Sequence, residues 1–109
     1  MSYDENLAQR IRKLLAGQPG RTEKRMFGGV SFMLQGNMAC GVLKEEMIVR
    51  IDPEEHDVAV AKPHVRTFDF SGRPMKGWIM VAPGAHASEE GLQAWVQQGV
   101  RYALSLPPK

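Results

Sequence analysis

The chain has 109 residues, 43% of them hydrophobic and 24% charged, with a formal net charge of +2 and a single cysteine. That is the length of one domain with an ordinary globular composition, which argues against a second independent core, a disordered chain or a collagen-like repeat. The near balance of charge gives no strongly basic domain, so direct nucleic-acid binding is not the favoured reading, and Cys40 alone can form no internal disulfide.

The opening residues carry acidic charge in Asp4 and Glu5 and lack the basic start and apolar middle of a signal peptide. No apolar run approaches the roughly 18 residues of a membrane span. A cytoplasmic protein without a membrane segment is expected. Leu7, Ile11, Leu14 and Leu15 then fall at helical spacing, with acids at the start and Arg10, Arg12 and Lys13 towards the end, which suits the helix dipole. Gly17, Pro19 and Gly20 stop this helix.

From Thr22 to Ile51 short β-prone runs alternate with turn signals, the mark of an antiparallel meander. A charged run spans Thr22 to Phe27 and ends at Gly28 and Gly29. Val30, Phe32 and Leu34 share a face in the second run, and Gln35, Gly36 and Asn37 make a hairpin loop. The spacing puts Met38, Cys40 and Val42 on one face of the third run, with the small Ala39 and Gly41 on the other, where a helix would fit. In the fourth run Met47, Val49 and Ile51 oppose Ile48 and Arg50.

Asp52 is placed as an N-cap, with Pro53 at the first helical position and Glu55 set for a capping-box contact. The helix they begin is short and ends at Lys62-Pro63. Residues 64–76, preceded by Pro63, with Gly72 and Pro74 among them and Phe68 and Phe70 as aromatics, read as a long ordered loop or a short edge strand. Trp78 to Ala82 is the last strand. Ser88 caps the longest helix, whose face carries Leu92, Trp95, Val96, Gly99 and Ala103 and covers the sheet.

The pattern predicts a two-layer α+β domain over residues 1–109, an antiparallel sheet of about five strands with N- and C-terminal helices.

Chemical candidates are few. His56, His64 and His86 are scattered, with no spacing suited to zinc, and read as surface residues. Cys40, mid-strand among small residues, reads as a small hydrophobe. The acidic cluster from Asp52 to Asp57 is accounted for by capping and solvation. No catalytic residue, metal ligand or cofactor-binding residue is assigned. Gly28 and Gly29 could let the backbone approach a ligand, although a tight turn or bulge explains them as well. The segment Gly72 to Trp78 is the most suggestive, because Arg73, Lys76 and Trp78 could meet an acidic partner or a nucleic-acid backbone. The competing reading is a loop of solvated cations with a packed Trp. Arg21, Lys24 and Arg25 would join them if the fold brought all these cations to one face.

Three blocks in order, Lys24-Arg25-Met26-Phe27-Gly28-Gly29-Val30, Gly72-Arg73-Pro74-Met75-Lys76-Gly77-Trp78 and Trp95-Val96-Gln97-Gln98-Gly99-Val100-Arg101-Tyr102-Ala103, closely resemble the TfoX N-terminal domain family. The closing Leu104 to Lys109 extends the likeness over nearly the whole chain. The resemblance implies a fold similar to type III secretion chaperones, whose members are often dimers, and kinship with regulators of natural competence. In those regulators a distinct C-terminal domain follows, so a stand-alone form is expected here. The family supplies no established catalytic residues.

The expected function is therefore a non-enzymatic regulatory or adaptor domain acting through a protein partner, as a homodimer, with a link to competence or transcription. The alternatives are direct nucleic-acid binding through a basic face and a small-molecule or enzymatic site near Gly28-Gly29 and the Arg73 segment.

Overall fold

The computed structural model describes residues 3–26, 28–70 and 72–109. In chain order they form α1 (Glu5–Leu14), β1 (Arg21–Met26), β2 (Gly29–Leu34), β3 (Asn37–Leu43), β4 (Glu46–Arg50), a 3-10 turn (Pro53–Glu55) running into α2 (His56–Val60), β5 (Val65–Phe70), β6 (Arg73–Val81), the single turn α3 (Pro83–His86) and α4 (Glu89–Ser105). The expected α+β architecture is present, with six strands in the order β1-β2-β3-β4-β6-β5, every neighbouring pair antiparallel. The added strand is β5, which lies in the segment read as a loop or short edge strand and which extends β6 back to Arg73. The expected end of the first run, Phe27, lies outside the described residues.

Helix α1 starts where the Asp4 carboxylate accepts from the Leu7 N–H at 3.1 Å, and α4 starts where the Ser88 hydroxyl accepts from the Gly91 N–H at 3.0 Å; both caps satisfy donors that the first helical turn leaves free. The four helices lie on one face of the sheet. There Leu7 and Ile11 of α1, Ala59 of α2 and Leu92, Trp95 and Val96 of α4 pack on Val30, Phe32, Cys40, Val42, Met47, Val49, Ile51, Ile79 and Val81. Gly99 is the point of closest approach, since a Cβ there would collide with the Ala39 carbonyl oxygen.

The opposite face carries a second apolar cluster of Met33, Met38, Ile48, Phe68 and Met80, flanked by Leu43, Met75 and Trp78. No helix residue belongs to it, yet its five central side chains are buried. The long methionines lie along the sheet; the Met38 methyl, for one, sits over Gly41. Met38 was expected beside Cys40 and Val42. A register shift after Phe32 makes Ala39 the extra residue of a β-bulge, so Met33 pairs with Met38 while Phe32 pairs with Cys40. Ala39 consequently turns towards α4, so the helices cover the face of Cys40 and Val42 rather than the Ala39 and Gly41 face expected, and Gly41 stays on the helix-free side with Met38.

His56 and His86, expected at the surface, are both buried. The His56 Nδ1 accepts from the Gly77 N–H at 2.8 Å and its Nε2 lies 2.9 Å from the Thr67 hydroxyl. Because Nδ1 accepts, the ring proton sits on Nε2. His56→Ala leaves a buried N–H without an acceptor, so a loss of about 1–3 kcal/mol is expected in a urea titration. The His86 Nε2 meets the Glu45 carbonyl at 3.0 Å. Asp52 caps the 3-10 turn by accepting from the Glu54 N–H at 2.9 Å. Glu55 makes no capping-box bond; its carboxylate accepts from Gln98 of α4 at 3.3 Å and faces Arg101 at 4.0 Å.

Candidate functional site

The cations singled out in the sequence form two groups. Arg21, Lys24 and Arg25 lie exposed on the edge strand β1. Arg21 and Arg25 pair with Leu34 and Val30 and so share the α1 side, where Arg21 reaches the Arg12 carbonyl at 3.5 Å and Arg25 lies 5.9 Å from the Tyr3 ring centre. Lys24 pairs with Ser31 on the opposite side. Arg73, Lys76 and Trp78 belong to β6, with β2, β3 and β4 between the two groups. The fold therefore does not bring these cations to one face; charges on β1 do what charges on edge strands generally do, which is to discourage pairing with another chain.

The two glycines have conformational reasons of their own. Gly28 has φ +81° in the turn after β1. Gly29 lies so close to β3 that a Cβ would strike the Val42 carbonyl oxygen.

A different cluster forms where β4, β6 and α4 meet. Arg50, the last residue of β4, is paired in register with Trp78. Its guanidinium carbon lies 5.1 Å from the Trp78 ring centre and 5.5 Å from the ring centre of Tyr102, so one cation is held by two aromatic faces. Three arginines of the chain are half-buried: Arg10, Arg12 and Arg50. Arg10 pairs with Glu89 at 3.1 Å, and Arg12 pairs with Glu5 at 2.7 Å and Glu23 at 2.8 Å. Those bonds hold the Arg12 guanidinium above its ordinary pKa and the Glu5 carboxyl below its own. Among the described residues no carboxylate stands within ion-pair distance of Arg50.

Beyond Tyr102 the surface falls into two adjoining depressions between α2 and α4, of about 160 and 400 Å³, which share Glu55, Gln98 and Arg101. The larger includes Val58, 69% exposed, which with Leu104 at 44% makes up the exposed large hydrophobics among the described residues. A third depression of about 300 Å³ lies over the second apolar cluster, lined by Leu43, Phe68 and Met80, and is bordered by the bidentate Arg66–Glu46 pair. Of the predicted set only Trp78 takes part in the β4–α4 cluster. Arg50 and Tyr102 were missed, although an arginine inside the apolar run Met47 to Ile51 is a signal: such a position is kept polar only where something accommodates the charge.

These residues all fall inside a stretch of known kinship, because the TfoX N-terminal domain matches residues 13–103. The chain belongs to the TfoX N-terminal domain family. No curated protein and no solved structure matches it. Among the described residues of this TfoX N-terminal domain, no helix is long and apolar enough to cross a membrane, and no three His, Cys, Asp or Glu side chains come together to hold a metal ion.

Cys40 lies wholly inside the core, and burial pushes its thiol up to about 12. In the folded TfoX N-terminal domain, thiol reagents at pH 8 are therefore expected to leave Cys40 unmodified until urea unfolds the chain. Since the folded pKa is the raised one, the associated stability is complete below the ordinary thiol pKa of 9.0 and is lost as pH climbs from there towards 12.

Proposed function

We propose that this TfoX N-terminal domain is a non-enzymatic regulatory or adaptor module that works through protein contacts in the cytoplasm, tied by its family to the control of competence or transcription. The observation that carries the reading is the Arg50, Trp78 and Tyr102 cluster. Arginine, tryptophan and tyrosine are the residue types that dominate binding energy at protein interfaces, and here they meet beside the α2–α4 depressions and the exposed Val58. Homodimerisation belongs to the same reading: an open sheet has two edges, and β5 offers one with fewer charges than β1.

The test is affinity capture from the source cell with the unaltered chain and with Trp78→Ala, alongside sedimentation of each. A partner retained by the first and lost by the second supports the proposal. Capture that ignores the substitution contradicts it. The alternative, nucleic-acid binding, requires duplex DNA to bind with a steep inverse dependence on salt.

A further inference from the structure

Arg50 is half-buried and, among the described residues, has no ion-pair partner. A half-buried guanidinium loses hydration and ordinarily recovers it from a carboxylate, as Arg10 and Arg12 do. Arg50 has instead two aromatic rings. Ring faces attract a cation but accept none of its N–H groups in the manner of an oxygen, and a ring-held guanidinium keeps its in-plane fork of donors available. The nearest acids along the chain are already committed, Asp52 to the Glu54 N–H and Glu55 to Gln98 and Arg101.

Resting on the adaptor reading, we propose that Arg50 is a carboxylate receptor: the fork of its guanidinium, held by Trp78 and Tyr102, takes an Asp or Glu side chain from an acidic segment of the partner protein. A planar fork matches a carboxylate with two parallel hydrogen bonds, and the rings fix its plane before the partner arrives, so little side-chain freedom is lost on binding. Lys76 is exposed two residues from Trp78, while the acids that line the Tyr102 depression, Asp52 and Glu55, already face the Glu54 N–H and Gln98 with Arg101, so the free fork of Arg50 is what an acidic visitor would meet. A nucleic-acid backbone fits less well, because repeated phosphates call for a track of cations and the β1 cations stand three strands away.

The experiment pans a phage library of random twelve-residue peptides on the full chain, then measures the selected peptides by fluorescence anisotropy. Enrichment of Asp or Glu flanked by apolar residues is expected. Exchanging that peptide acid for its amide is expected to weaken binding about tenfold or more to the unaltered chain, and to change little with Arg50→Gln. Arg50→Lys, which keeps charge without the fork, is expected to retain only part of the affinity. The peptide-side exchange needs no altered protein, so misfolding of a variant leaves the result readable, and thermal melts check each variant.

Peptides that lose binding with Trp78→Ala yet show no acid dependence overturn the receptor and leave the adaptor reading standing. Peptides indifferent to both Trp78 and Arg50 overturn the two together. A single-stranded oligonucleotide that displaces the peptides in an Arg50-dependent manner overturns the carboxylate in favour of phosphate. A dimer in sedimentation that Arg50→Gln dissolves assigns the site to a second copy and overturns the separate partner.

Discussion

Gly99→Val is expected to cost the domain about 3 kcal/mol, at the upper end of what overpacking a core costs, read as a fall in the urea midpoint. Gly99 stands in the interior of α4 where a Cβ would collide with the Ala39 carbonyl oxygen and lie 3.3 Å from a Val49 methyl. A backbone oxygen cannot rotate away as a flexible side chain can, so α4 must rise off the sheet. Gly99→Ala makes the sharper test through its sign. In an exposed helix interior that exchange gains about 1 kcal/mol; here a net loss is expected. An alanine variant that melts higher than the unaltered chain would show that α4 does not seat on the Ala39 bulge.

Phe32→Ala is expected to cost about 3–5 kcal/mol, the range for truncating a buried aromatic. Phe32 is fully buried on β2 within the helix-side core, between Glu23 of β1 and Cys40 of β3 in register. Domains of this kind hold about 5–15 kcal/mol in all, so the variant gives up a large share of its stability, read as a fall in the urea midpoint. The comparison is Val58→Ala: at 69% exposure its expected effect on stability is within about 0.5 kcal/mol. A Phe32→Ala chain as stable as the Val58→Ala chain would contradict the assignment of the core.

Local rules in the sequence reached far into this fold. The face of α4 from Leu92 to Ala103, the Ser88 cap and the alternation of Met47, Val49 and Ile51 all follow from spacing and hydrogen-bonding chemistry. What spacing could not show was decided by contacts distant along the chain. The bulge at Ala39 inserts one residue and reverses the face of Met38, an effect invisible to a period-two reading. Pro74 counted towards a loop or a short edge strand; it fits inside β6 because β6 pairs with β4 only from Trp78 to Val81, so Pro74 pairs on one side alone and no second ladder needs its missing N–H.

His56 looked like a surface residue because its partner, the Gly77 N–H, lies 21 positions away. The same holds for the candidate site. Trp78 was visible as an aromatic among cations, whereas Arg50 and Tyr102 acquire meaning only when β4 and α4 bring them to the same place.

The central claim, that this end of the TfoX N-terminal domain is its contact surface, is tested most directly by the amide NMR spectrum of the labelled chain as a captured partner is added. Shifts concentrated at Arg50, the Trp78 indole N–H and the α4 turn around Tyr102, with β1 unchanged, are the predicted result. Shifts concentrated at Arg21, Lys24 and Arg25, with Arg50 and Trp78 unmoved, would contradict it.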